Sequence, residues 1–160
     1  MDKIIKTNKG TMHSKITGNF GENIVLYLLS KNGFESAVVD HTGIDLISKN
    51  NKTSELMGIS VKSRSKTEQA KGTYISIKND NFDKVRKACE AFGCVPYFAI
   101  VSDEVDKLYV FILPMKELLR LFPKRERMSS WKMTNSYIKE YLQNPKIKSF
   151  VFNYKNINWW

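Results

Sequence analysis

The chain has 160 residues but only two cysteines and two histidines. Cys89 and Cys94 make neither a zinc quartet nor a disulfide framework, so both are expected to be reduced and structural. His41 is a lone loop histidine without a cysteine or second histidine in ligand spacing, which reads as a polar side chain on the surface rather than a substrate contact. His13, near the N-terminus, carries less signal still.

Long apolar runs are missing too. None approaches the roughly 18 to 20 residues that a membrane span needs, and the lysine-rich stretch Met1 to Lys15 lacks the apolar core of a signal peptide. The expectation is a cytoplasmic protein with no membrane contact. No repeat, low-complexity tract or linker marks a second domain, so 1–160 reads as one domain. Acidic residues are in short supply, 16 against 26 basic ones, and the formal charge of +10 favours a polyanionic partner. A hydrophobic content of 42% with 12% aromatics argues against disorder.

What is present centres on two apolar runs, Gly43-Ile44-Asp45-Leu46-Ile47-Ser48 and Leu56-Met57-Gly58-Ile59-Ser60-Val61-Lys62-Ser63-Arg64. Both read as buried strands bounded by turn formers. Each carries a charge that a buried strand disfavours: Asp45 near the start of the first, Lys62 near the end of the second. A hairpin with its loop near Lys49 to Thr53 pairs them antiparallel and brings Asp45 back beside Lys62. Alternation then puts Gly58, Ser60 and Lys62 on one face and Met57, Ile59 and Val61 on the other.

A helix is expected from Ser14 or Thr17 to Lys31, stopped by Asn32-Gly33. Glu22 stands on its buried stripe, one turn before Val25, Leu26 and Leu29; a helix-end carboxylate favoured by the macrodipole is the plainer account. Phe34 to Val39 reads as a strand. After Lys62, the polar stretch with Arg64, Lys66 and Lys71 is either a solvated loop or a set of phosphate contacts. Tyr74 to Ile77 forms a short apolar segment, and Asn79 or Asp80 caps a helix to about Phe92. Pro96–Val101 and Leu108–Leu113 form a hairpin, and Pro114 opens a short helix. From Pro114 onward there are ten Lys or Arg against three Glu, interleaved with aromatics that suit either nucleic-acid contact or, at strand spacing as in Phe150 and Phe152, a core.

In order and strand context, Gly21-Glu22 on a helix, Gly43-Ile44-Asp45-Leu46-Ile47, Ile59-Ser60-Val61-Lys62-Ser63, then a helix and Tyr97-Phe98-Ala99-Ile100-Val101 resemble the PD-(D/E)xK nuclease superfamily, in its Holliday-junction resolvase-like branch. The resemblance covers about residues 17–114. It implies an α/β fold with a restriction-endonuclease-like mixed central sheet flanked by helices; the order of elements along the chain adds 115–160 as a helical C-terminal addition. It further implies a Mg²⁺- or Mn²⁺-dependent endonuclease acting on nucleic acid, in the first place DNA, often as a homodimer.

Carried over by motif position, Glu22 and Asp45 are metal-binding acids, the Val61 carbonyl is a further ligand, and Lys62 is the catalytic lysine. Ser60 departs from the pattern, standing where the superfamily has Glu, Asp or Gln. A serine hydroxyl is a neutral, short ligand, so metal binding is expected to be weak or absent. Glu55, five residues away on the opposite strand face, is a poor substitute; Glu68 sits in a loop that could fold back. Two functions follow: a metal-dependent DNA endonuclease, or a catalytically degraded nuclease-fold protein that binds nucleic acid or a protein partner.

Overall fold

The computed structural model describes residues 8–67 and 72–158. The elements in order are α1 (His13–Lys31), β1 (Phe34–His41), β2 (Ile44–Asn50), β3 (Leu56–Ser65), β4 (Tyr74–Lys78), α2 (Asn79–Phe92), β5 (Val95–Asp103), β6 (Lys107–Pro114), α3 (Met115–Leu121), β7 (Met128–Lys132), α4 (Asn135–Gln143) and β8 (Lys148–Asn153).

Six strands form the central sheet in the order β1-β2-β3-β5-β6-β8. β3 and β5 run parallel and every other neighbouring pair is antiparallel, so the sheet is mixed. The parallel pair requires a crossover, and β4 with α2 supplies it.

Alternation along the central strands divides the core into two clusters. Ala99, Val101, Val110 and Ile112 pack with Leu46 and Ile59 against Val25, Leu28 and Leu29 of α1. Phe98, Ile100, Phe111 and Leu113 pack with Phe82, Val85, Ala88 and Cys89 of α2. The helices therefore cover opposite faces, as period-two strands buried on both sides require. α1 ends where expected, with Asn32 donating through its side chain to the Leu28 carbonyl at 2.7 Å and Gly33 at φ +87°.

Beyond Pro114, α3 and α4 answer to the expected helical addition, but two strands accompany them. β7 pairs with β4 in a separate two-stranded sheet, and β8 extends the central sheet at its β6 edge. The aromatics of this region divide accordingly. Trp131 is fully buried and stacks on Tyr141 at 4.1 Å, with Phe111 and Phe122 against it, so these rings are core. Phe152 and Tyr154 stay partly exposed. Neither Asn79 nor Asp80 caps α2: Lys78 occupies that position, and Asn79 donates instead to the Arg125 carbonyl at 2.8 Å.

Candidate active site

Registered pairing of β2 with β3 runs from Lys49↔Leu56 to Leu46↔Ile59. Beyond it the Val61 N–H donates to Oδ2 of Asp45 at 2.6 Å. A side-chain carboxylate thus takes the donor that a continuing ladder would give to the β2 main chain. Because the N–H and C=O of one strand residue face the same neighbour, the Val61 carbonyl is directed to the Asp45 side as well.

Gly43 holds the start of β2 in place. Its φ is +102°, and a Cβ there would collide with the Lys84 main chain and come within 2.9 Å of the Val85 nitrogen. The turn before Asp45 is therefore pressed directly onto α2, at a position only glycine tolerates.

Gly21 does the same for α1. A Cβ at Gly21 would overlap the Ser63 side chain, lying within 2.9 Å of Ser63 Cβ and 3.5 Å of Val61 Cγ1. This close approach sets the next residue, Glu22, in the electrostatic neighbourhood of Asp45 and Asp40. Burial, followed by the charges of Asp45 and Asp40, raises the Glu22 pKa above its ordinary 4.5. Burial likewise raises Asp45 above 3.8, with Asp40 adding to it, while the Val61 N–H and Lys62 oppose the shift.

Lys62 emerges on the α2 face of β3 and donates to Asn81 Oδ1 at 3.1 Å. Burial lowers its pKa below the ordinary 10.5; Asp45 and Asp80 pull it up, and Lys84 pushes it down. Two carboxylates that resist ionisation and one ammonium that resists protonation meet where β2 and β3 part. Such opposed shifts make this cluster a candidate functional site.

Asp45 lies beside Lys62, as the hairpin spacing implied, and takes the Val61 N–H; Glu22 shares its electrostatic neighbourhood, and Ser60 is buried on the same strand at 3% exposure. Asp40 and Asn81 join them without having been singled out. The φ of +41° at Asp40 and the irregular β1–β2 register between Val38 and His41 belong to the backbone that delivers it. Asn81 lies in the first turn of α2, where Asn and Asp ordinarily read as helix-start residues.

The basic residues after Lys62 have intramolecular partners. Arg64 donates through Nη1 to the carbonyls of Gly72 and Tyr74, at 3.1 and 3.0 Å, and through Nη2 to Glu104. Lys66 also pairs with Glu104, at 3.4 Å. Lys71 and Glu68 lie outside the described residues. Glu55 is turned away from the site and accepts from the Tyr97 hydroxyl at 2.6 Å.

Among the described residues no group of three or more His, Cys, Asp or Glu is placed to hold a metal ion. A cation here would have two carboxylates, a main-chain carbonyl and water. That all-oxygen set fits a hard, well-hydrated ion such as Mg²⁺ and does not fit the nitrogen and sulfur preference of structural zinc. No helix among the described residues is long and apolar enough to cross a membrane.

Among solved structures, the chain is similar to Archaeoglobus fulgidus Hjc, a Holliday junction resolvase from an archaeal hyperthermophile. The TM-score is 0.55 at 18% identity, over 77% of this chain and 88% of that one. The likeness is one of fold: a restriction-endonuclease-like mixed sheet flanked by helices. No family model matches the chain, and no curated protein matches it.

Proposed function

We propose that this chain is a divalent-metal-dependent nuclease that hydrolyses phosphodiester bonds in DNA. The observation that carries the reading is the Asp45 carboxylate held by the Val61 N–H where the β2–β3 ladder parts, with Glu22 and Lys62 in its electrostatic neighbourhood. The restriction-endonuclease-like fold and the resolvase neighbour support it by analogy.

Glu22, Asp45 and the Val61 carbonyl would hold the cation. A bound Mg²⁺ or Mn²⁺ supplies Lewis acidity toward phosphate oxygens and lowers the pKa of its water. The chain's own groups do the rest. The Val61 N–H pins Oδ2 of Asp45, so the orientation of this carboxylate is set before any ligand arrives. The Lys62 ammonium, steadied by Asn81, offers positive charge to the phosphoryl oxygens as negative charge develops on them. Its lowered pKa also makes it a readier proton donor to a departing oxygen.

A second reading, nucleic-acid binding without cleavage, is favoured by one observation: Ser60 is buried where the superfamily pattern carries an acid. Cleavage of branched and linear DNA in Mg²⁺ or Mn²⁺, compared between wild type and Asp45→Asn, separates the two. Cleavage that is lost in the variant while binding is kept supports the nuclease. Binding without cleavage in either metal supports the second reading.

A further inference from the structure

Two cavities meet beside the N-terminal half of α1. The larger, about 480 Å³, is apolar, with Ile16, Phe20 and Ile24 of α1 facing Val101, Leu108 and Phe152 of the sheet. The smaller, about 350 Å³, is polar and basic, with Lys9, Ser14 and Ser63 on its wall. His13, Thr17, Arg64 and Ser65 line both, so they are two halves of one cleft.

The apolar half presents aromatic surface that the described residues leave uncovered: Phe20 is 46% exposed and Phe152 is 37% exposed. Tyr154 stands beside them with its hydroxyl donated to Asp103, which holds the ring in place. The polar half contains the start of α1, which has no side-chain cap and no acid in its first turn. The His13 N–H is taken by the Gly10 carbonyl; the N–H groups that follow it add positive potential to Lys9, which donates to the Ser65 carbonyl, and to Arg64, which is paired with Glu104. His13 Nε2, Ser63 Oγ and Arg64 Nε are buried around this half without a hydrogen-bond partner among the described residues. Arg64 is held rigid through Gly72, Tyr74 and Glu104.

A planar apolar body joined at short range to an anion matches both halves. We infer that the cleft receives one unpaired nucleotide of a nucleic-acid strand, its base against Phe20 and Phe152 and its phosphate against Lys9, Arg64 and the α1 N-terminus. A second copy of this chain would bring like charge to the basic half, which a nucleotide complements. Paired bases are closed off inside a duplex, so the ligand is a single strand, a flap or an extruded base. The place suits this: Arg64 lies two residues past Lys62 on β3, and Thr17 lies five residues before Glu22, about 7.5 Å along the helix axis.

The inference rests on the nucleic-acid part of the proposed function and is independent of cleavage. The test uses the full chain as Asp45→Asn, which keeps the strand intact, and a short single-stranded oligonucleotide carrying one fluorescent purine analogue. Quenching of the analogue on binding is expected, together with about tenfold weaker binding of the same strand made abasic at that position. Phe20→Ala and Phe152→Ala should each remove the quenching and weaken binding about tenfold, with circular dichroism unchanged. Lys9→Gln should weaken intact and abasic strands alike. Competition by free adenosine monophosphate at concentrations like that of the strand would keep the base-and-phosphate chemistry and assign the cleft to free nucleotides; competition only at large excess assigns it to a strand. Equal affinity for intact and abasic strands overturns the inference. So does a two-chain species in sedimentation that Phe20→Ala dissociates without any base-dependent binding. Wild type that cuts DNA yet shows no base dependence refutes the cleft alone, and base-dependent binding without cleavage refutes the nuclease reading alone.

Discussion

The Val61 amide donates to the Asp45 carboxylate at 2.6 Å, just past the last registered β2–β3 pair. A neutral isostere keeps that acceptor and removes the charge. Asp45→Asn should therefore fold normally and lose cleavage by about 10²–10³-fold, measured as single-turnover rates on a labelled DNA.

The same variant should be more stable than wild type at neutral pH. Glu22 and Asp45 both have folded pKa values above their ordinary 4.5 and 3.8, so the folded state binds more protons than the unfolded one across that window. Wild-type stability therefore falls as pH rises through it, and the loss is complete above the raised values. Thermal melts should show Asp45→Asn gaining roughly 0.5–2 kcal/mol near pH 7, the range usual for relieving a strained site. The difference should shrink as pH drops below about 4.

Gly21 and Ser63 should behave as a coupled pair. Gly21→Ala places a methyl group on the Ser63 side chain and should push α1 outward, destabilising the protein by about 1–3 kcal/mol. Cleavage should fall because Glu22 moves with the helix. Ser63→Gly removes the obstructing atoms, and the double variant should recover much of the stability and rate; additive losses in the cycle would refute the coupling.

Gly43→Ala should be more damaging than Gly33→Ala. Both glycines have positive φ, at +102° and +87°, so both substitutions strain the backbone by about 1–3 kcal/mol. Only at Gly43 does the new methyl also meet the Lys84 main chain, while the space beside Gly33 is open. Urea midpoints should rank wild type, Gly33→Ala and Gly43→Ala in that order.

Glu117 supplies a pH signature away from the site. It is buried and accepts from Arg120 at 2.6 and 3.0 Å and from Asn144 at 3.2 Å, and these partners, Arg120 first, hold its pKa down to about 2. A depressed carboxylate contributes stability that is present above 4.5 and lost as pH falls toward 2. Glu117→Gln should melt at a lower temperature at pH 7, with the gap closing over that acidic window.

Much of this architecture was legible in the residues. Hydrophobic period and turn formers located α1, the β2–β3 hairpin, α2 and the β5–β6 hairpin, because each is dictated by local geometry. Alternation along Met57 to Lys62 assigned the faces of β3 correctly: Gly58 meets Cys89 and Lys62 meets Asn81, both on α2, while Ile59 packs with Val25 of α1. β7 was not legible, and of β8 only the strand spacing of Phe150 and Phe152 was. Each is short, and its hydrogen bonds go to strands more than 30 residues away, β4 and β6. No local pattern reports such a partner.

The charges themselves were set by the chain alone: Glu22, Asp45 and Lys62 stand in apolar contexts that local sequence makes visible. Tertiary structure decided what surrounds them. Asn81 and Asp40 enter through the docking of α2 and the β1–β2 turn. Arg64 and Lys66 pair with Glu104, because β5 runs parallel beside β3 and carries the chain to that carboxylate. Spacing along a chain fixes which side chains share a strand or a helix face, whereas the partner of a charge is set by the element that folds against it.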